Sequence, residues 1–118
     1  MWRSAEAFCR HVNGHLARVD DQYEYEQLQR VWNRYDKNIP ETDEPIVAWI
    51  DGFYSADDNQ WTCSSKRREK SCDYLGWADG MTTHEHSNKN YCLALQKGEL
   101  GGVVEIPCST YANYICEV

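Results

Sequence analysis

The chain has 118 residues, a net charge of −7 and a hydrophobic content of 42%. This length fits one domain, and a domain of this size buries roughly two-thirds of its unfolded surface. The acidic balance excludes a general nucleic-acid binder, and no apolar run approaches the roughly 20 residues of a membrane span. The sequence opens without the apolar stretch of a signal peptide. We therefore expect either a mature segment or a piece of a longer chain.

Two helices are predicted first. In the first helix, Ser4 is a candidate N-cap and Gly14 a candidate closing residue. Its apolar positions recur at helical spacing: Ala5, Phe8, Cys9 and Val12. In the second helix, Asp21 and Glu24 form an acidic variant of a capping box. Its apolar stripe consists of Tyr25, Leu28, Trp32 and Tyr35. Acids at the start of this helix and bases at its end suit the helix dipole, so its charges indicate a solvated face.

Strands and a long loop are predicted after the helices. A polar connection containing proline spans residues 36–45, and a buried strand follows at residues 46–50. From residue 61 to residue 91 we expect a loop with little regular structure, and loops of that length in a compact domain are usually functional. Three short strands follow at residues 91–95, 102–106 and 113–118. This order predicts an α+β fold.

Six cysteines stand at positions 9, 63, 72, 92, 108 and 116. An even number in a short chain indicates a disulfide framework, whose connectivity the spacing alone leaves open. A zinc site is disfavoured because the chain contains no Cys-x-x-Cys pair. Disulfides persist in oxidising compartments, so we expect a secreted or extracellular protein, or the ectodomain of a longer one.

Several motifs along almost the whole chain occur in a recognisable order. They are WRSAEAFCRHVNGHLARV at residues 2–19, Trp49-Ile50-Asp51-Gly52, the tryptophans Trp61 and Trp77, the cysteines Cys92 and Cys108, and the closing YICE at residues 114–117. Together they resemble the C-type lectin-like domain, whose strand motif Trp-Ile-Gly-Leu has Asp51 here in place of the favoured glycine.

The resemblance implies a fold and a disulfide pattern. The fold has two helices packed on small antiparallel sheets, with a long irregular loop region, in a single domain over residues 1–118. The implied bridges are Cys9–Cys116, Cys92–Cys108 and, with these two in place, Cys63–Cys72. The family's first strand precedes the opening tryptophan, and almost nothing precedes it here, so we expect that this strand was trimmed or lies in a longer parent chain.

The resemblance also bears on calcium. Sugar-binding members of the family hold calcium through Glu-Pro-Asn in the long loop, an acid near the third framework cysteine, and Trp-Asn-Asp. Here the first motif falls on residues 81–83 (Met-Thr-Thr), the acid on Asn90 and the last motif on residues 103–105 (Val-Val-Glu). The first motif can instead be aligned on residues 85–87 (Glu-His-Ser), but the last motif is then still Val-Val-Glu in place of Trp-Asn-Asp. Calcium binds through 6–8 oxygens, so we expect no calcium site, and no cofactor.

Two clusters of polar residues are candidates for ligand binding. Lys66, Arg67, Arg68 and Lys70 form a basic patch between two cysteines, suited to sulfate, phosphate or carboxylate, although a solvated loop tip or a partner for the protein's own acids explains it too. His84 and His86 share a face if the segment is extended, but no third metal ligand accompanies them, so we expect solvated histidines. The full candidate set is Lys66, Arg67, Arg68, Lys70, Tyr74, His84, Glu85, His86, Asn88, Asn90 and Glu105.

The candidate functions are an enzyme, a recognition module and a structural protein. An enzyme is disfavoured because no Gly-x-Ser-x-Gly, phosphate-loop or His-Glu-x-x-His motif appears. We predict a non-enzymatic extracellular recognition module that binds a protein or an anionic, sulfated glycan through the long-loop region without calcium. The alternative is a carbohydrate-binding lectin that uses calcium, or direct hydrogen bonds from Asn88, Asn90 and Glu105. A structural or matrix role ranks third, and the oligomeric state is left open.

Overall fold

The computed structural model describes residues 1–35, 46–55, 60–64, 69–71, 90–98 and 101–118. The helices in this part of the chain are α1 (Trp2–His11) and α2 (Gln22–Arg34). The strands are β1 (His15–Leu16), β2 (Val47–Ser55), β3 (Gln60–Ser64), β4 (Glu69–Ser71), β5 (Tyr91–Gln96), β6 (Gly102–Pro107), β7 (Asn113–Tyr114) and β8 (Cys116–Glu117). The α+β fold predicted from the sequence is confirmed.

The strands form two sheets. The larger sheet has the antiparallel order β4-β3-β2-β5-β6, and β7 pairs with β2 in parallel. The smaller sheet joins β1 to β8, with His15 opposite Glu117 and Leu16 opposite Cys116. Strand β2 therefore has three partner strands and lies at the centre of the domain.

Apolar side chains cover both faces of the larger sheet, because successive residues of a strand point to opposite faces. One buried cluster contains Trp2, Ala5, Cys9, Leu16, Trp49, Cys92, Ala94 and Val104. The other contains Ala17, Val19, Trp32, Ala48, Ile50, Trp61, Leu93, Leu95 and Val103. Helix α1 thus contributes to one cluster and helix α2 to the other, which explains why the strands read as nearly continuous apolar runs.

Helix α1 begins earlier than the sequence pattern predicts. Its N-cap is Met1, without a side-chain cap, so the prediction of Ser4 as the cap is wrong. The reason is Trp2, whose indole is 1% exposed and donates a hydrogen bond of 2.9 Å to the carbonyl oxygen of Ile50. This anchor fixes the first turn at the core and turns Phe8 and Val12, 48% and 39% exposed, away from it.

The end of α1 also differs from the prediction. Asn13 adopts the left-handed conformation with φ of 65°, a role that the sequence analysis gives to Gly14. Gly14 serves a different purpose, since a Cβ atom there would lie 2.3 Å from the carbonyl oxygen of Glu117 in β8. The glycine lets the chain after α1 approach the C-terminal strand closely.

Helix α2 begins as predicted. The Asp21 side chain accepts a hydrogen bond of 2.8 Å from the backbone N–H of Glu24, and the Glu24 carboxylate accepts one of 2.9 Å from the N–H of Asp20. Of the predicted stripe, Trp32 is 3% exposed, whereas Tyr35 at the end is 47% exposed. The cap prediction is confirmed because a capping box depends only on local spacing.

The predicted strands need three corrections. The strand at residues 46–50 continues to Ser55, and β3 and β4 form a hairpin inside the stretch predicted to be loop. The strand predicted at residues 113–118 is two short strands in different sheets, β7 and β8. Two-residue strands such as β1 carry no hydrophobic period, so a pattern of alternation does not reveal them.

Disulfides tie the elements together. The bridge Cys9–Cys116 joins α1 to β8 across 107 residues, and Cys92–Cys108 joins β5 to the residue after β6. Both match the pairs that the family resemblance implies. Cys63 in β3 is also disulfide-bonded, while Cys72 lies outside the described residues. Within the described ranges, no helix is long and apolar enough to cross a membrane.

Candidate functional site

The predicted ligand-binding residues divide into two groups. Most of them lie outside the described residues: Lys66, Arg67, Arg68, Tyr74, His84, Glu85, His86 and Asn88. The structure places the backbone of Lys70, and it describes Asn90 and Glu105 in full. The candidate site is therefore built from its supports: the β3–β4 hairpin, the start of β5, and β6.

The β3–β4 hairpin supports the basic patch. Strand β4 is the edge strand of the larger sheet, with Lys70 opposite Cys63 and Glu69 opposite Ser64. The segment that links the two strands in the chain is residues 65–68, which contains the other three basic residues of the patch. Paired strands and a bonded cysteine at its base thus hold both ends of the segment.

Strand β6 occupies the position of the family's Trp-Asn-Asp motif. Val103 and Val104 are 1% and 7% exposed, and they belong to the two core clusters on opposite faces of the sheet. Glu105 is 8% exposed and pairs with Leu93 of β5. Two of the three motif positions are therefore hydrophobic core, which leaves only the Glu105 carboxylate as a side-chain oxygen on this stretch.

Asn90 lies where the chain enters β5. It is exposed, and its carbonyl oxygen accepts a hydrogen bond of 3.0 Å from the backbone N–H of Cys108. Asn90 precedes Leu93, the partner of Glu105, by three positions, which corresponds to about 10 Å along a strand. Asn90, just before β5, and Glu105, in the neighbouring strand β6, are thus separated along the strand direction. Among the described residues, no three His, Cys, Asp or Glu side chains group to hold a metal ion.

An ion pair occupies the position where the family favours glycine. The Asp51 side chain is 3% exposed and accepts a hydrogen bond of 3.0 Å from Nε of Arg18, whose side chain is 14% exposed. The backbone N–H of Asp51 donates to the carbonyl oxygen of Ala17 at 2.8 Å. The sequence contains a signal for this pair: an acid after the apolar run at residues 46–50 needs a partner when it is buried.

A cavity of about 140 Å³ lies beside Asn90. This cavity is not among the sites predicted from the sequence. Its walls include Trp2, Arg3, Phe53, Asn90 and the Cys92–Cys108 bridge. The guanidinium carbon of Arg3 lies 5.3 Å from the ring centroid of Trp2 and 5.5 Å from that of Phe53. No sequence motif indicates such a group, because its members are distant in the chain and meet only through the fold.

The fold, the bridges and the buried tryptophans together define a C-type lectin-like domain, a class whose members are generally non-enzymatic recognition modules. The chain matches the family model of the lectin C-type domain over residues 1–118, and it belongs to that family. No curated protein sequence matches the chain significantly.

Several solved structures are similar in fold to this chain, including the following two. One is the mouse scavenger receptor C-type lectin carbohydrate-recognition domain, with 18% identity and a TM-score of 0.68 over 98% of this chain and 80% of that one. The other is the Ca²⁺-independent C-type lectin SPL-2 from Saxidomus purpuratus, with 17% identity and a TM-score of 0.57 over 92% of this chain and 80% of that one. At these identities the likeness concerns the fold alone.

Proposed function

We propose that residues 1–118 form one extracellular recognition domain that binds an anionic, sulfated glycan through its long-loop region and the adjoining basic patch, without calcium. The observation that carries the proposal is the burial of Val103 and Val104, which puts core side chains where sugar-binding relatives place calcium ligands. A structural neighbour described as Ca²⁺-independent supports the compatibility of this fold with such a role.

The basic patch indicates a negatively charged ligand. Lys66, Arg67, Arg68 and Lys70 concentrate positive charge on a chain of net charge −7. Such a patch attracts sulfate or carboxylate groups, and Arg pairs with them in two-pronged geometry. The β3–β4 hairpin holds the ends of the segment, which lowers the cost of ordering it on a ligand. The two bridges and the bonded Cys63 fit an oxidising, extracellular setting.

The first test is a glycan array that includes sulfated glycans, read in calcium and in chelator. We expect binding to sulfated glycans that resists chelator and weakens with salt, because exposed charges are screened. Calcium-dependent binding to neutral sugars would contradict the proposal and favour a calcium-dependent lectin. A silent array would also contradict it and favour a protein ligand.

The second test locates the site. We expect a Lys66→Gln, Arg67→Gln, Arg68→Gln variant to lose three ion pairs with the glycan, of about 0.5 kcal/mol each, and to bind it about tenfold more weakly. The control is an Arg10→Gln, Arg30→Gln, Arg34→Gln variant, which changes the net charge equally but on the two helices. Equal losses in both variants would show that net charge, and not the patch, attracts the glycan.

A further inference from the structure

We propose that the cavity between α1 and the start of β5 is a separate anion subsite, which binds the sulfate or carboxylate group of an acidic sugar through Arg3 and Asn90. Its described residues come from α1, β2, the segment 90–92 at the start of β5 and Cys108 after β6, so the proposal stands whether or not the basic patch binds a ligand. Among the described residues, Asn90 is the one that it shares with the predicted long-loop site.

The size of the cavity suits a charged group. A volume of about 140 Å³ corresponds to roughly five water molecules at about 30 Å³ each. This space accommodates a sulfate or carboxylate and the carbon next to it, while the rest of the sugar lies at the mouth. The exposed Asn90 supplies a side-chain amide, a donor and an acceptor for a neighbouring hydroxyl.

The walls of the cavity are fixed before any ligand binds. The backbone N–H of Trp2 donates to the carbonyl oxygen of Cys108 at 3.0 Å. The backbone N–H of Cys108 in turn donates to the carbonyl oxygen of Asn90 at 3.0 Å. The Cys92–Cys108 bridge closes the same frame, and the rings of Trp2 and Phe53 meet edge to face at 5.7 Å. A preformed wall reduces the ordering cost of binding.

The cation is held at the cavity by its aromatic neighbours. The guanidinium of Arg3 lies over the rings of Trp2 and Phe53, and the side chain is 71% exposed, so its donors are open to an incoming anion. Among the described residues its acceptor is Glu6, at 3.5 Å from Nη1, at the limit of hydrogen-bond distance. A guanidinium has five N–H donors, so this contact leaves a fork for a sulfate or carboxylate.

The local charges favour an anion. Glu6 contacts both Arg3 at 3.5 Å and Arg10 at 3.9 Å, so two guanidinium groups face one carboxylate on this side of α1. The first turn of α1 contains no acidic residue, so nothing there offsets the positive end of the helix dipole.

The experiment is an NMR titration of the whole domain with three monosaccharides that differ only at carbon 6. They are glucose 6-sulfate, glucuronic acid and glucose. We expect the two anionic sugars to shift the Arg3 side-chain N–H, the Asn90 amide and the Trp2 indole N–H, and glucose to leave them in place. Shifts from glucose 6-sulfate alone would narrow the subsite to sulfate, and shifts from glucuronic acid alone to carboxylate. Equal shifts with glucose would overturn the proposal.

Two matched variants decide the role of Arg3. Arg3→Gln and Arg10→Gln each remove one guanidinium from the same helix and the same partner, Glu6, but only Arg3 lines the cavity. We expect Arg3→Gln to weaken binding of both anionic sugars at least fivefold and Arg10→Gln to change it less than twofold. Arg3→Lys keeps the charge but loses the fork, so it should fall between wild type and Arg3→Gln. Equal losses in Arg3→Gln and Arg10→Gln would overturn the proposal.

The same titration separates this subsite from the proposed function. The variant with Lys66, Arg67 and Arg68 changed to Gln should retain all shifts around Arg3, because the proposed subsite binds the anion through Arg3 and Asn90. A silent glycan array together with these shifts would contradict the proposed function and leave the subsite intact. Binding on the array without shifts around Arg3 would support the proposed function and contradict the subsite.

Discussion

The carboxylate of Asp51 lies in the centre of an apolar strand, and Arg18 is its ion-pair partner. Arg18 also donates its backbone N–H to the carboxylate of Glu117 at 3.0 Å. A single residue pair thus connects the segment after β1 to β2 and, through the backbone, to β8. Burying both charges costs desolvation energy, so the pair is held by its geometry and not by charge alone.

Removal of the Asp51 carboxylate should therefore be costly. We expect Asp51→Ala to lower the free energy of unfolding by about 3 kcal/mol, because it leaves the Arg18 guanidinium largely buried without its carboxylate. Urea unfolding measures the change. The control is Arg10→Ala, which removes the 3.9 Å contact of an exposed guanidinium with Glu6 and should cost about 0.5 kcal/mol or less. Equal costs for the two variants would show that the buried pair contributes no more than a surface pair.

At the scale of elements, α2 holds the β5–β6 turn through amide side chains. Gln29 Nε2 donates to the carbonyl oxygen of Gln96 at 2.9 Å, and its Oε1 accepts from the N–H of Gly102 at 2.8 Å. One turn along the helix, Asn33 Oδ1 accepts from the N–H of Gly98 at 2.9 Å and Nδ2 donates to its carbonyl oxygen at 3.1 Å. The helix therefore satisfies backbone groups at the end of the two strands.

Loss of these amides should loosen the turn selectively. We expect Gln29→Ala to lower the free energy of unfolding by about 2 kcal/mol, because it leaves a part-buried donor and acceptor without partners. Hydrogen exchange of the Gly98 and Gly102 amides should accelerate in a Gln29→Ala, Asn33→Ala variant. Gln22→Ala, at the exposed start of the same helix, is the control and should leave these amides protected. Unchanged exchange in the double variant would mean that the side chains of Gln29 and Asn33 do not stabilise the turn.

The elements differ in how far the sequence predicts them. The capping box of α2 and strands β5 and β6 follow from local spacing and apolar runs, so their prediction succeeds. The start of α1 fails because Trp2 is fixed by a hydrogen bond to a residue 48 positions away. Gln29 and Asn33 look like solvated helix positions in the sequence, since polar residues on an exposed face have no signature of their contacts.

The candidate site shows the same division. Asn90 and Glu105 can be located in advance because Cys92 and Cys108 fix the register of the family motifs on β5 and β6. The cavity beside Arg3 is not predictable in this way. Its walls come from residues 2–3, 53–54, 90–92 and 108, and only the completed fold brings these segments together.

At the scale of the whole molecule, the two described bridges close loops of different length. Cys9–Cys116 spans 107 residues and Cys92–Cys108 spans 16. On the chain-entropy argument, the first stabilises the fold by about 4–5 kcal/mol and the second by about 3 kcal/mol. The long bridge also fixes the small sheet, because Cys116 is itself a member of β8.

A comparison of two double variants tests this ranking. We expect Cys9→Ser, Cys116→Ser to unfold at lower urea concentration than Cys92→Ser, Cys108→Ser, by the difference of about 1–2 kcal/mol that loop length predicts. The unmodified domain and its fully reduced form bracket the two. A larger loss from the short bridge would contradict the loop-length ranking, because Cys9 and Cys92 are equally buried, at 0% and 1% exposed.

The Cys9–Cys116 bridge, which joins α1 to β8, also affects how the domain folds during synthesis. At about 5–20 residues per second, Cys116 leaves the ribosome roughly 5–20 s after Cys9, because 107 residues separate them. Throughout that interval the thiol of Cys9 lacks its native partner, while Cys63, Cys72, Cys92 and Cys108 emerge before Cys116. Nascent chains therefore have time to form wrong pairings, and correct ones depend on thiol–disulfide exchange after synthesis.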